Sequence, residues 1–272
     1  MGAFRLLGLG SMPAENKKRM PYPWERIRRY VARNSARVLF RKPVVIRAKQ
    51  PVISFSFDDF PRTALLRGGA ILKSRGFTGT YYVALGLLGQ DSPSGQIAFR
   101  EDLREALAQG HELGCHTFSH YDSWYTNSKI FEDSIIQNRE ALRELIPEAQ
   151  FKSFSYPLSS PRPTTKRAAA RYFECCRGGG QTINAGTADL NQLAAYFLEQ
   201  ARGDIQAVKS VIDRNQKENG WVVFATHDVS PNPSPYGCTP EFFEEVVTYA
   251  TASGARILPV VQATRLIQGL NV

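Results

Sequence analysis

Asp58, Asp59, His116, His120 and His227 are the residues of this 272-residue chain whose types and spacing offer chemistry. The two aspartates follow the β-forming run Ser54-Phe55-Ser56-Phe57. Neighbouring side chains of a strand point to opposite sides, so a bend must intervene before both carboxylates share a site. With the bend, one could bind a metal while the other takes a proton; without it, the pair is a strand-end turn of the kind Asp favours. His116 and His120 are four residues apart. On a helical turn both imidazoles would share one face and one ion; otherwise they are ordinary surface or core histidines. With Asp59 they would offer two nitrogens and one oxygen and leave coordination positions open, which is how catalytic zinc sites differ from closed structural ones. His227 ends the apolar run Trp221-Val222-Val223-Phe224-Ala225-Thr226. It is either a satisfied core histidine or a proton donor, the usual work of an imidazole in catalysis.

Other chemistries find less support. Cys115 adjoins His116, but strand neighbours point apart, which argues against a thiol nucleophile. No GxSxG elbow, GxxxxGK loop or GxGxxG fingerprint is present. Arg177-Gly178-Gly179-Gly180 could approach a sugar or phosphate closely, although a glycine-rich turn accounts for it equally. Cys175 and Cys176 are adjacent, only Cys115 and Cys238 remain to pair, and no CxxC occurs, so the chain reads as reduced and cytosolic.

The elements that must position these groups follow from hydrophobic patterning. Strand-like runs stand at Val52–Phe57, Thr80–Leu85, Glu112–His116, Phe151–Tyr156, Phe173–Arg177, Trp221–Thr226 and Arg256–Val260. Helical stretches separate most of them: Phe131, Ile135, Leu142 and Leu145 recur at helical spacing, and Ala64–Arg75 ends at Gly76, a C-cap. Residues 178–200 read as a glycine-rich loop. This alternation predicts a parallel α/β sheet or barrel. In such a barrel the carboxyl ends of all strands open on one face. Asp58–Asp59, His116, Pro157 and His227–Asp228 each stand at such an end, so distant residues would meet around one cleft.

Composition sets the remaining bounds. Apolar residues at 43% and charged ones at 22% supply a core and exclude general disorder. No run approaches the roughly 18 apolar residues of a membrane span, and MGAFRLLGLG is too short for a secretory core, so an unexported chain is expected. Residues 1–50 carry thirteen Lys and Arg against Glu15 and Glu25, a net +11, whereas the remainder is at −2. The basicity therefore belongs to an arm, 1–50, ahead of a domain at 51–272, and a nucleic-acid-binding body is excluded. Within the arm, residues 23–41 predict an amphipathic helix with Trp24, Ile27, Val31, Ser35 and Val38 on one face and Arg26, Arg29, Arg33 and Arg37 opposite. Such a helix either meets an anionic membrane surface, at the inner face for a cytoplasmic chain, or packs its stripe on the domain with its arginines in water.

The same residues resemble the NodB-like polysaccharide deacetylases, of the carbohydrate esterase family four type, which remove N-acetyl and sometimes O-acetyl groups from glycans. SFDD at 56–59 looks like that family's first motif, HTFSH at 116–120 its second, and FATHD at 224–228 its last, in the right order over roughly residues 51–268. The resemblance implies a distorted (β/α) barrel of seven or eight strands and a divalent ion held by Asp59, His116 and His120, zinc foremost, with cobalt or nickel equally suited to the donor set. It implies Asp58 as catalytic base and His227 as catalytic acid on an N-acetylated glycan or glycolipid. Two departures stand out. The family's third motif carries an arginine, then proline and tyrosine, whereas this chain has Ser155-Tyr156-Pro157-Leu158. That leaves Arg162 or Arg177 to replace the arginine, and puts the Leu158 N–H at the oxyanion with Tyr156 and Pro157 beside the substrate. The fourth motif, which brings an acid to the catalytic histidine, is not recognisable, and Asp189 is its candidate. Two other readings remain open: an amidase or O-acetyl esterase on a small substrate, and a catalytically silent carbohydrate-binding barrel.

Overall fold

A computed structural model describes residues 31, 34–46, 49–159 and 161–270. Its strands are β1 (Pro43–Val45), β2 (Val52–Phe57), β3 (Thr80–Val83), β4 (Asp91–Ser92), β5 (Gly95–Gln96), β6 (Glu112–Cys115), β7 (Ser153–Ser155), β8 (Cys175–Arg177), β9 (Thr187–Asp189), β10 (Tyr196–Phe197), β11 (Trp221–Thr226) and β12 (Arg256–Ile257). The central sheet runs β10-β11-β2-β3-β6-β7-β8, all parallel. β12 flanks the start of β2, where Arg256 faces Val52, and β3 flanks its end, where Ser56 faces Thr80. Beyond the β8 edge, Cys176 N–H donates to the Leu190 carbonyl at 2.6 Å and Gly178 N–H to that of Leu193 at 2.9 Å, so the segment between β9 and β10 lies alongside β8. The architecture is the distorted (β/α) barrel expected.

Period-two alternation decides what the barrel presents to its interior. All six residues of β2 and of β11 are buried, as strands covered on both faces must be. Ile53, Phe55 and Phe57 pack with Phe224 and with Phe243 of helix Pro240–Ala252 in one apolar cluster, the outer one, between sheet and helices. Val52, Trp221, Val223, Ala225 and Cys175 belong to a second cluster, with helix Val260–Ile267. Ser54 follows the second set, taking the Trp221 indole N–H at 3.0 Å. Continuing that parity to the strand ends turns Asp58, His116, Arg177 and His227 inward together. The outer helices are held at their starts by Asn127, Asp204 and Thr239, each accepting backbone N–H groups of the first turn.

The expected elements are present with shifted edges. Residues 64–75 form a π-turn, Ala64–Gly69, running into helix Ala70–Ser74; Gly76, at φ 75°, closes it by donating to the Lys73 carbonyl. The last strand stops at Ile257 and Val260 already opens a helix, with Pro259 at its N-cap. The stretch expected to be loop, 178–200, contains β9 and β10, each too short to carry a pattern of its own.

Of the arm, Val31 and residues 34–38 are helical, whereas Trp24, Arg26, Ile27, Arg29 and Arg33 lie outside the described residues. Val31 and Val38 face water, at 57% and 68% exposure, while Ala36 on the other side is fully buried. The expected stripe is therefore not the face laid on the barrel over this stretch. The cause is polar: Lys166, itself fully buried, donates to the Ala36 carbonyl and to Asp189, both at 2.6 Å. β1 then pairs antiparallel with β9.

Candidate active site

One cavity of about 400 Å³ opens at the carboxyl ends of the strands, lined by Asp58, Asp59, His116, His120, Leu158 and His227 together with Leu87, Ser92–Ser94, Phe197, Glu199, Gln200 and Tyr236. The bend that the adjacent aspartates require is real. Asp59 and Phe60 take left-handed backbone, φ 61° and 55°, which keeps Asp59 from pointing outward. Thr117 (58°), His120 (51°) and Leu158 (59°) share this conformation. Strained non-glycine backbone of this kind collects where a site over-determines its geometry.

The His116–His120 pair meets by a route other than the helical turn expected. After β6 the chain is irregular through 116–120, and two left-handed residues curl it until both rings face Asp59. Asp59 Oδ1 lies 3.6 Å from His116 Nε2 and 3.2 Å from His120 Nε2. The curl is pinned by backbone: Gly86 N–H donates to the Phe118 carbonyl at 2.9 Å, and Ser134 Oγ, on helix Ser128–Leu145, accepts from Phe118 N–H at 2.9 Å. A Cβ at residue 86 would stand 2.6 Å from that carbonyl, so the approach needs glycine.

These three residues fit a divalent cation. Their ligand atoms lie within 4.8 Å of one another. Asp59 Oδ1 is buried without a hydrogen-bond partner, the state of an atom waiting for a cation. His116 Nδ1 lies 2.8 Å from the Ser155 carbonyl, which can only accept, so Nδ1 carries the proton and Nε2 is free to ligate. Burial, with His120 adding to it, holds the His116 pKa down to about 4 against the pull of Asp58 and Asp59, keeping the ring neutral as a ligand must be.

Asp58 is bound differently. Burial alone would raise its pKa, but Arg177, and after it His116 and His227, lower it to about 2. Arg177 is 1% exposed, hydrogen-bonds Asp58 Oδ1, and lies between the rings of Tyr82 and Phe197 at 4.9 and 5.5 Å. It is the register partner of Ser155 on the neighbouring strand. The arginine absent from 155–158 thus stands one strand over, at a position of the same inward parity. Arg162 instead donates to the Thr126 carbonyl, away from Asp58.

His227 is half-buried, and its Nδ1 lies 3.1 Å from the Tyr236 carbonyl. That acceptor places the proton on Nδ1 and leaves Nε2 for the cavity. Asp189 has no part here, being taken by Lys166 and by the Lys42 N–H. Asp228 is buried and tied to Ser234. Tyr156 packs on Phe154 in the outer cluster and donates to the Asn191 carbonyl at 2.9 Å. Neither Tyr156 nor Pro157 lines the cavity, a correction that follows for Tyr156 from its outward parity. Cys115 is likewise no nucleophile, since burial pushes its thiol up to about 12. Glu199 and Tyr236 were not anticipated; Glu199 does follow a strand end, but the strand is two residues long.

Residues 46–174 match the family model described as polysaccharide deacetylase. No curated protein sequence matches the chain. Among solved structures, a family 4 acetyl xylan esterase from Clostridium thermocellum in complex with a cobalt ion is 20% identical, with 81% of this chain and 93% of that one covered at a TM-score of 0.56. The chitin deacetylase of the fungal pathogen Colletotrichum lindemuthianum is 15% identical, covering 80% and 90% at 0.58. A CE4 family pseudoenzyme from Bacillus anthracis is 12% identical, covering 80% and 66% at 0.56. At these identities the likeness establishes the fold.

Proposed function

The chain belongs to the polysaccharide deacetylase family, and on that premise we propose that it is a metal-dependent hydrolase removing N-acetyl groups from a glycan, an oligo- or polysaccharide or a glycolipid. The observation that carries this is the orphaned Asp59 Oδ1 facing two imidazole nitrogens, with Asp58 and His227 in the same cavity. Asp59, His116 and His120 would hold the ion, Zn²⁺ foremost and Co²⁺ or Ni²⁺ by the same donors. A divalent ion there supplies acidified water and a polarised carbonyl.

The protein's own groups do the rest. Asp58, kept ionised by Arg177, takes the proton of the attacking water. The Leu158 N–H donates to the oxygen that gains charge, an interaction worth roughly 3–4 kcal/mol where such donors have been removed. His227, as the imidazolium with its Nδ1 proton held by the Tyr236 carbonyl, passes the Nε2 proton to the departing nitrogen, and the proton that Asp58 took from water makes good the loss. Acetate and a free amine result.

Acetate release decides the reading. With Zn²⁺ or Co²⁺ added, the protein should release acetate from N-acetylated sugar oligomers. Release from acetyl esters alone would make it an O-acetyl esterase, and glycan binding without release would make it a silent barrel.

For the arm, 1–50, set against the barrel, 51–272, the outward-facing Val31 and Val38 support a peripheral contact with an anionic membrane surface, at the inner face for a cytoplasmic chain. Among the described residues no helix is long and apolar enough to cross a membrane. Flotation with anionic vesicles should fall when Val31 and Val38 become Asp; equal flotation would remove this contact.

A further inference from the structure

Beyond Asp58 and the metal-facing Asp59, the cavity holds one more carboxyl among the described residues. β10 ends at Phe197, and the turn Leu198–Ala201 carries Glu199 to the end of the barrel occupied by Asp58 and His227. The turn is firmly set: Leu198 is buried in the outer cluster, and Arg202 and Gly203 close it in left-handed conformation, φ 51° and 80°. Glu199 Oε2 is shut off from solvent and has no hydrogen-bond partner. Burial raises its pKa most and Asp58 and Asp228 raise it further; its own backbone N–H and then Arg177 only partly offset them, leaving it at about 8.

The neighbouring carboxyls are accounted for. Asp58 is bonded to Arg177, Asp59 faces the two imidazoles, and Asp228 is tied to Ser234. Glu199 has no such side-chain partner: its own backbone N–H bonds the carboxyl, while Oε2 is left unpaired, and a buried acceptor in that state is costly unless something entering the cavity completes it. The group that completes it must suit a carboxyl in either protonation state. A hydroxyl both donates and accepts, whereas an amide carbonyl only accepts and an acetyl methyl does neither.

We propose that Glu199 binds a hydroxyl of the sugar ring that bears the acetyl group, and thereby selects hydroxylated over deoxygenated rings. This rests on the deacetylase reading and adds to it a specificity residue. A site built to bond a substrate hydroxyl discriminates sharply against the analogue lacking it.

The test is a double cycle of protein variant and substrate. Acetate release is measured on acetylated sugars and on their singly deoxygenated analogues, for wild type, Glu199→Ala and Glu199→Gln. Glu199→Ala should raise KM at least about tenfold on the parent sugar, with kcat changed less. One deoxy analogue should show the same loss with wild type and no further loss with Glu199→Ala. Glu199→Gln, which still bonds a hydroxyl, should recover most of the binding. A merely structural role would lower every substrate alike. That pattern, or an unchanged KM on the parent sugar, overturns the subsite alone. A wild-type protein that releases acetate from no acetylated sugar overturns the functional reading and the subsite with it.

Discussion

Asp58 and Asp59 are chemically identical and adjacent, yet their surroundings give them different work. One is paired with a buried guanidinium; the other faces two imidazoles through an oxygen that nothing else satisfies. The two should therefore fail differently. Asp58→Asn should keep the bound ion, measured by mass spectrometry, while turnover falls by about 10²–10⁴-fold, the usual worth of a general base. Asp59→Ala should lose the ion. Turnover surviving in Asp58→Asn, or ion retained in Asp59→Ala, would reverse or cancel the assignments.

At the scale of elements, helix Ser128–Leu145 works as a clamp. Asn138, fully buried on it, accepts from Leu85 N–H at 2.9 Å and donates to the Val83 carbonyl at 2.8 Å, tying the helix to the end of β3. One turn earlier, Ser134 holds the 116–120 curl through Phe118 and Ser119. Ser134→Ala touches no ligand atom but frees the curl that brings His120 to Asp59. Metal affinity should drop about tenfold to a hundredfold, as when outer partners of a ligand set are lost, with little change in the folded fraction. Titration with Zn²⁺ against a chromophoric chelator reads this directly, and an unchanged affinity would show the curl to be held by its own backbone.

Across the whole molecule, stability should depend on pH through a histidine remote from the cavity. His111 is 3% exposed, and its Nδ1 accepts the Gly79 N–H at 2.9 Å, which joins β3 to β6. Burial, with Lys73 adding to it, lowers its pKa from the ordinary 6.5 to about 4. Between those values the unfolded chain binds the proton and the folded one does not. Stability is therefore full above about pH 6.5 and is lost as pH falls toward 4. The urea midpoint should drop between pH 7 and pH 5, and His111→Asn, whose Oδ1 can take the same N–H, should flatten that drop. A slope unaltered by the exchange would assign the acid sensitivity elsewhere.

The chain by itself determined the barrel, the strand ends bearing Asp58, Asp59, His116 and His227, and the outward turn of Cys115, because period-two burial and strand–helix alternation are local properties written residue by residue. It did not reveal that 116–120 is a curl, since left-handed backbone at Thr117 and His120 is stabilised by Gly86 and Ser134 from other elements. Nor could it choose Arg177 over Arg162, because the choice turns on which strand lies in register beside β7. The protonated nitrogen of His227 was equally out of reach, being fixed by a carbonyl nine residues away on a folded-back loop. Residue types and strand parity act along the chain, whereas hydrogen-bond partners and buried charge pairs exist only once distant segments have packed.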